Sequence, residues 1–274
     1  ESIGELEPCN ESTYKVKFTP KNLKPLRKYQ LDSNPDLKGA LVVYEHPPAL
    51  IPNNLYKVVY DPVRDENGGT SLASIIVYKG RNTIDHTSNM IVAHWAGRLD
   101  SVDAMHEICC NIAKYFNAQV MFENNIPDFK NYCMRTNNFH LLAPTPYQAI
   151  SKALKEPSKK WDVGVNMSKP LGEYAEKLAL QWLLEDRKTW EEDGVQHTLK
   201  NYQTIYDNAM LDEFISYNST GNFDRVSAFK LLMIWLIQDD EEINSLNAAQ
   251  ERVAINDFYK TISNPTKRPK SVLY

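Results

Sequence analysis

Apolar residues fall along this chain in two rhythms. Up to about residue 95 they form short runs broken by turn chemistry. Tyr56–Tyr60 is β-branched and aromatic and predicts a strand. Asp65-Glu-Asn-Gly-Gly-Thr70 follows as a turn, with Asn67-Gly68 the hairpin signal. Ser71–Tyr78 predicts the return strand, Gly80-Arg-Asn82 a second turn and Thr87–Trp95 a third strand. Connections this short predict an antiparallel meander. Ala40–Tyr44 is a further short apolar strand, closed by Pro47-Pro48.

After residue 100 the rhythm becomes helical. Val102, Met105, Ile108, Cys109, Ile112, Tyr115 and Phe116 keep helical spacing behind a cap at Asp100 or Ser101. Ala118–Phe122 then predicts a strand reached through that helix, so a right-handed crossover lays it parallel to the first strand of the meander. Asp128–Arg135 predicts a short helix, His140–Ala143 a fifth strand, 144–160 a loop and Asp162–Val165 a last short strand. Leu171, Tyr174, Ala175, Leu178, Trp182 and Leu183 share one face of a helix over 170–187. Tyr206–Ser216 and Val226–Ile237 predict two more helices. The fold class is therefore α/β: a mixed sheet of five to six strands, antiparallel meander then parallel strands, flanked by helices. Residues 1–35 are polar, carry Pro20, Pro25 and Pro35 with a basic run from Lys15 to Lys28, and read as an N-terminal arm or linker. Residues 36–262 read as the folded domain and 263–274 as a loose C-terminal tail.

Composition narrows the picture slightly. A chain of 274 residues that is 42% hydrophobic can bury a sizeable core, and 24% charged residues is ordinary for a globular protein. The net charge of -4 does not favour nucleic acid, although local basic patches and bound cations can offset it. Cys9, Cys109, Cys110 and Cys133 lack C-x-x-C spacing and read as reduced thiols; the histidines lack a metal-ligand pair. No secretory signal and no apolar run long enough to cross a membrane is present, which makes the Asn-x-Ser/Thr matches at Asn10, Asn166 and Asn218 accidental and the cytosol the expected compartment. The first residue is Glu1, so the sequence reads as a piece of something longer.

The chemistry lies in three acidic residues at element ends. Asp61 closes the first meander strand, Glu123 closes the parallel strand and Asp224 opens an apolar helix. Alternate strand residues share a face, so Asp61 and Glu123 emerge at one carboxyl edge if their strands are parallel neighbours. Ala228, small and on the stripe of Asp224, lets the helix approach the sheet. Each residue alone has a blander reading: Asp61 before Pro62 as a turn residue, Glu123-Asn-Asn as a turn, Asp224 as an N-cap. Together they predict catalytic carboxylates that ligate Mg²⁺ or Mn²⁺, two ions about 4 Å apart, for phosphodiester hydrolysis.

The ordered set resembles the nuclease domain of tailed-phage large terminases. The residues that carry it are Tyr60-Asp-Pro62, Phe122-Glu-Asn-Asn125 and Asp224-Arg-Val-Ser-Ala228, supported by Leu211–Tyr217, Leu41–Glu45 before Pro47, and Lys169 before Pro170. The resemblance implies an RNase H-like fold over 36–262, Asp61, Glu123 and Asp224 as metal ligands, and cutting of concatemeric double-stranded DNA in the host cytoplasm during genome packaging. It implies the portal, the small terminase subunit and an ATPase domain of the full-length protein as partners. Two departures stand out. The family's His-Asp-Asp is Asn222-Phe223-Asp224 here, and there is no Gly-x-x-x-x-Gly-Lys-Ser/Thr, so no ATP site is expected in this chain.

Arg64, Arg98 and Arg225, close to the motif ends, are the candidate phosphate contacts, with surface ion pairs the bland alternative. Two other functional readings remain: a catalytically silent RNase H-like module that docks DNA or the portal, and an RNase H-like enzyme of resolvase or transposase type.

Overall fold

The computed structural model describes residues 1–9, 15–29, 36–63, 71–80, 88–157, 162–218 and 221–263. A seven-stranded mixed sheet organises them. Its strands are β1 (Ser2–Pro8), β2 (Val16–Pro20), β3 (Leu41–Val43), β4 (Tyr56–Asp61), β5 (Ala73–Lys79), β6 (Met90–Gly97) and β7 (Gln119–Phe122), in the spatial order β2-β1-β3-β6-β5-β4-β7. β4, β5 and β6 form the expected antiparallel meander. α1 (Val102–Tyr115) then crosses over, and β7 returns parallel to β4 with Tyr60 opposite Phe122. All six residues of β4 are buried, as a strand covered on both faces requires.

One face of the sheet carries α1 and α2 (Asp128–Arg135), packed on Val58, Tyr60, Val120 and Phe122. The other carries α3 (Tyr147–Leu154), α4 (Lys169–Leu184), α5 (Asn208–Ser216) and α6 (Asp224–Ser263), packed on Val59, Ile76 and Met121. β8 (Asp186–Glu192) and β9 (Val195–Lys200) form a separate, largely exposed hairpin.

Several elements differ from the sequence expectation. The segment read as an arm over 1–35 contributes two strands at one end of the sheet: β1 pairs with β3, and β2 pairs with β1 and forms the edge. Leu6 and Phe18 pack on the core there, a local apolar contribution too sparse to stand out between the charges. His140–Ala143 is a 3₁₀ turn over Phe139–Leu141 followed by a single bridge from Leu142 to Val120. Asp162–Val165 likewise makes only bridges, Val163 to Pro144 and Val165 to Glu123. The expected loop over 144–160 contains α3, whose Ala149 and Ile150 are buried. α6 runs far beyond Ile237. The expected turns at Asp65–Thr70 and Gly80–Asn82 fall wholly or mostly outside the described residues.

Cys109, Cys110 and Cys133 are buried free thiols and Cys9 is half-buried. Among the described residues no helix is long and apolar enough to cross a membrane.

Candidate functional site at the carboxyl edge of the sheet

Val59 and Met121 face α6, so by alternation Asp61 and Glu123 lie on that same face. The parallel register carries them out level with each other: the Glu123 amide donates to the Tyr60 carbonyl at 3.2 Å. Pro62 has no amide hydrogen and ends β4 immediately after Asp61. Asp61 is 8% exposed and sits opposite Ser74 of β5. Glu123 is half-buried; Asn125 donates to its carboxylate, and Val165 bridges alongside it. That bridge depends on Gly164, held at φ +71, where a Cβ would meet the Phe122 carbonyl oxygen at 2.8 Å.

Asp224 reaches the same edge from α6. α6 crosses the sheet antiparallel to β4: Asp239 pairs with Lys57 at the start of the strand, and Asp224 lies by the chain that enters β5. Its carboxylate accepts the Leu72 amide at 2.8 Å, the Ser71 hydroxyl at 3.4 Å and the Asn222 side-chain amide at 3.2 Å. Burial pushes its pKa up to about 6, against these hydrogen bonds and Arg225, which favour the anion. A desolvated carboxylate at a strand edge suits cation binding, because a cation replaces the lost water.

The donors are hard oxygens on one edge, and in kind they fit Mg²⁺ or Mn²⁺. As the side chains stand, no group of three or more His, Cys, Asp or Glu among the described residues could hold a metal ion. Asp224 is turned toward Ser71 and Leu72.

The three arginines separate. Arg64 lies outside the described residues. Arg98 is half-buried and donates to the Ser71 carbonyl at 3.0 Å, one residue from the amide that holds Asp224. Arg225 was expected at DNA phosphates but is 1% exposed. Its guanidinium pairs with Glu213 at 2.7 Å, lies 3.7 Å from Asp207 and donates to the Leu26 carbonyl at 2.8 Å. The helical position after Asp224 faces inward, and the charge is satisfied inside the fold.

A buried polar chain continues from there and was not read from the sequence. Asp207 Oδ2 lies 2.5 Å from His94 Nδ1, and His94 Nε2 lies 3.4 Å from Ser74 Oγ. The order Ser, His, Asp is that of a hydrolytic triad, but Ser74 is completely buried and meets no substrate. Burial holds His94 below its usual pKa. Burial would raise Asp207, yet His94, Arg225 and the Met210 amide hold it below the usual carboxylate range. The signals were His94 in the apolar run Met90–Ala96 and Glu213 among the buried positions Ala209 and Met210 of α5.

No protein-family model matches the chain, and no curated protein matches it in sequence.

Proposed function

We propose that this chain is an RNase H-like, divalent-metal-dependent endonuclease acting on double-stranded DNA. The observation that carries the reading is the in-register emergence of Asp61 and Glu123 from adjacent parallel strands, beneath the helix that opens with Asp224. The meander, crossover helix and parallel strand support the RNase H-like assignment. The motif resemblance extends it to concatemeric phage DNA, with the portal, the small terminase subunit and an ATPase domain as partners in the host cytoplasm.

Asp61 and Glu123 would hold the cation, Mg²⁺ or Mn²⁺, and Asp224 would complete the set. When bound, the cation supplies Lewis-acid charge for phosphodiester hydrolysis. The chain's own part is to exclude water around Asp61, to keep Glu123 level with it through the Tyr60 carbonyl, and to present Asp224 by the Leu72 amide. Arg98, which donates to the Ser71 carbonyl one residue from the amide that holds Asp224, would meet a phosphate at this edge.

A second reading, a silent module that docks DNA, is favoured by one observation: Asp224 bonds to Ser71 and Leu72 and is not gathered with the other two carboxylates. A supercoiled-plasmid assay with Mn²⁺ or Mg²⁺ separates them. The nuclease reading expects nicked and linear DNA that disappears with EDTA. DNA binding without cleavage under either ion would leave the silent module.

A further inference from the structure

α6 opens in an unusual way. Phe223 precedes Asp224, and a phenylalanine side chain offers the first-turn amides no acceptor. The acceptor comes from another helix. Glu213 of α5 takes the Arg225 amide at 2.9 Å and the Val226 amide at 3.2 Å on one oxygen, and the Arg225 guanidinium at 2.7 Å on the other. Glu213 is 2% exposed and Arg225 1%.

Arg225 spreads that restraint. Its second terminal nitrogen donates to Leu26 of the N-terminal segment, where Tyr29 stacks on Phe223 at 5.0 Å. Its Nε faces Asp207, the N-cap of α5, which accepts the Ala209 and Met210 amides. The start of α6 is thereby tied to α5 at two points and to the segment before β3, and Asp224 is the residue at that start.

We propose that Glu213 and Arg225 are a positioning pair that sets the Asp224 carboxylate for cation binding without touching the ion. The proposal rests on the nuclease reading above. Groups that orient metal ligands from behind typically cost about 10- to 100-fold in metal affinity when removed. Glu213→Gln keeps one acceptor oxygen for the amides but turns an N–H₂ or an uncharged oxygen toward the buried guanidinium. The helix start then shifts, and Asp224 with it.

The test is a Mn²⁺ titration followed by electron paramagnetic resonance of the free ion, with plasmid nicking measured over the same Mn²⁺ range and circular dichroism to show folding. Glu213→Gln is expected to raise the Mn²⁺ dissociation constant about 10- to 100-fold. The Mn²⁺ concentration that gives half-maximal nicking should rise by the same factor, because the change acts through the ion. If Glu213→Gln does not fold, Arg225→Lys decides by the same titration: it keeps the charge and loses the fork that reaches Glu213 and Leu26 together. A folded variant that binds Mn²⁺ as tightly as the parent overturns the proposal and leaves the nuclease reading standing. A parent protein that binds no Mn²⁺ removes both.

Discussion

Lys57 and Asp239 meet at 2.7 Å across the first residues of β4 and the middle of α6. The pair fixes which end of α6 lies over which end of the sheet. Fifteen helical residues separate Asp239 from Asp224, about 22 Å of rise, enough to carry Asp224 to the opposite edge. Lys57 also lies 4.4 Å from the Trp235 ring centre. Its side chain is 9% exposed, whereas that of Asp239 is 36% exposed.

That asymmetry gives the first prediction. Asp239→Asn strands a buried ammonium and should cost roughly 2–4 kcal/mol of stability. Lys57→Met keeps the stem over Trp235 and leaves a carboxylate that water can reach, so it should cost about 1 kcal/mol. Urea denaturation of both variants measures the difference. Equal losses would mean that the pair does not anchor the helix.

The three carboxylates make the second prediction. Asp61→Asn, Glu123→Gln and Asp224→Asn should each lower Mn²⁺-dependent nicking by more than about 100-fold, since direct ligands matter more than the groups behind them. Circular dichroism without metal should show all three variants folded, so that the loss reads the site and not the fold. Undiminished cleavage in any one variant would remove that residue from the site.

Asp224 makes the third, through pH. Its folded pKa, about 6, is raised above the ordinary carboxylate value of 3.8 by burial. The folded state therefore binds the proton more tightly than the unfolded state between these values. Its contribution to stability is fully present below about pH 4 and is lost as pH rises through about 6. Asp224→Asn stays neutral throughout, so its stability relative to the parent should climb by roughly 2–3 kcal/mol between pH 4 and pH 7 and then level off. Mn²⁺ should also bind the parent about tenfold more weakly for each pH unit below about 6, as a proton competes for the carboxylate. A flat stability difference across this window would contradict the burial of Asp224.

The sheet was legible where pattern and connection length agree. Tyr56–Tyr60, Ser71–Tyr78 and Thr87–Trp95 are runs that only a buried meander accommodates, and the helix before Ala118 leaves parallel pairing as the short path back. β1 and β2 were not legible because strands at this end of the sheet bury little: Lys21 pairs with Glu5 and Glu7, Lys17 stands opposite Glu7 in the register, and these charges outweigh Leu6 and Phe18 in any local reading. In the site, the ends of strands and helix were readable, since Asp61-Pro62 and Asp224 mark boundaries by their own chemistry. The side-chain direction of Asp224 was not, because it depends on Ser71 and Leu72, some 150 residues away in sequence. Arg225 misled for the same reason. A guanidinium beside a motif reads as a surface group unless its partners, Glu213 and Asp207, are known to be beneath it.

Phe223 supplies the last prediction. Many terminase nucleases carry a second acidic residue at the position matched to Phe223, so under the proposed reading Phe223→Asp would strengthen metal binding if the side chain faced the site. Here Phe223 is 5% exposed, stacked on Tyr29 at 5.0 Å and edge-on to Tyr217 at 5.2 Å. A carboxylate introduced there would lose both ring contacts and sit desolvated, one residue from Asp224. The expected result is a loss of about 3–4 kcal/mol in stability with no tightening of Mn²⁺ binding. Phe223→Leu, which keeps the apolar volume, should cost about 1 kcal/mol and leave Mn²⁺ affinity within a factor of three. Tighter Mn²⁺ binding by Phe223→Asp would show that this position faces the ion, and that the aromatic stack with Tyr29 opens when the cation arrives.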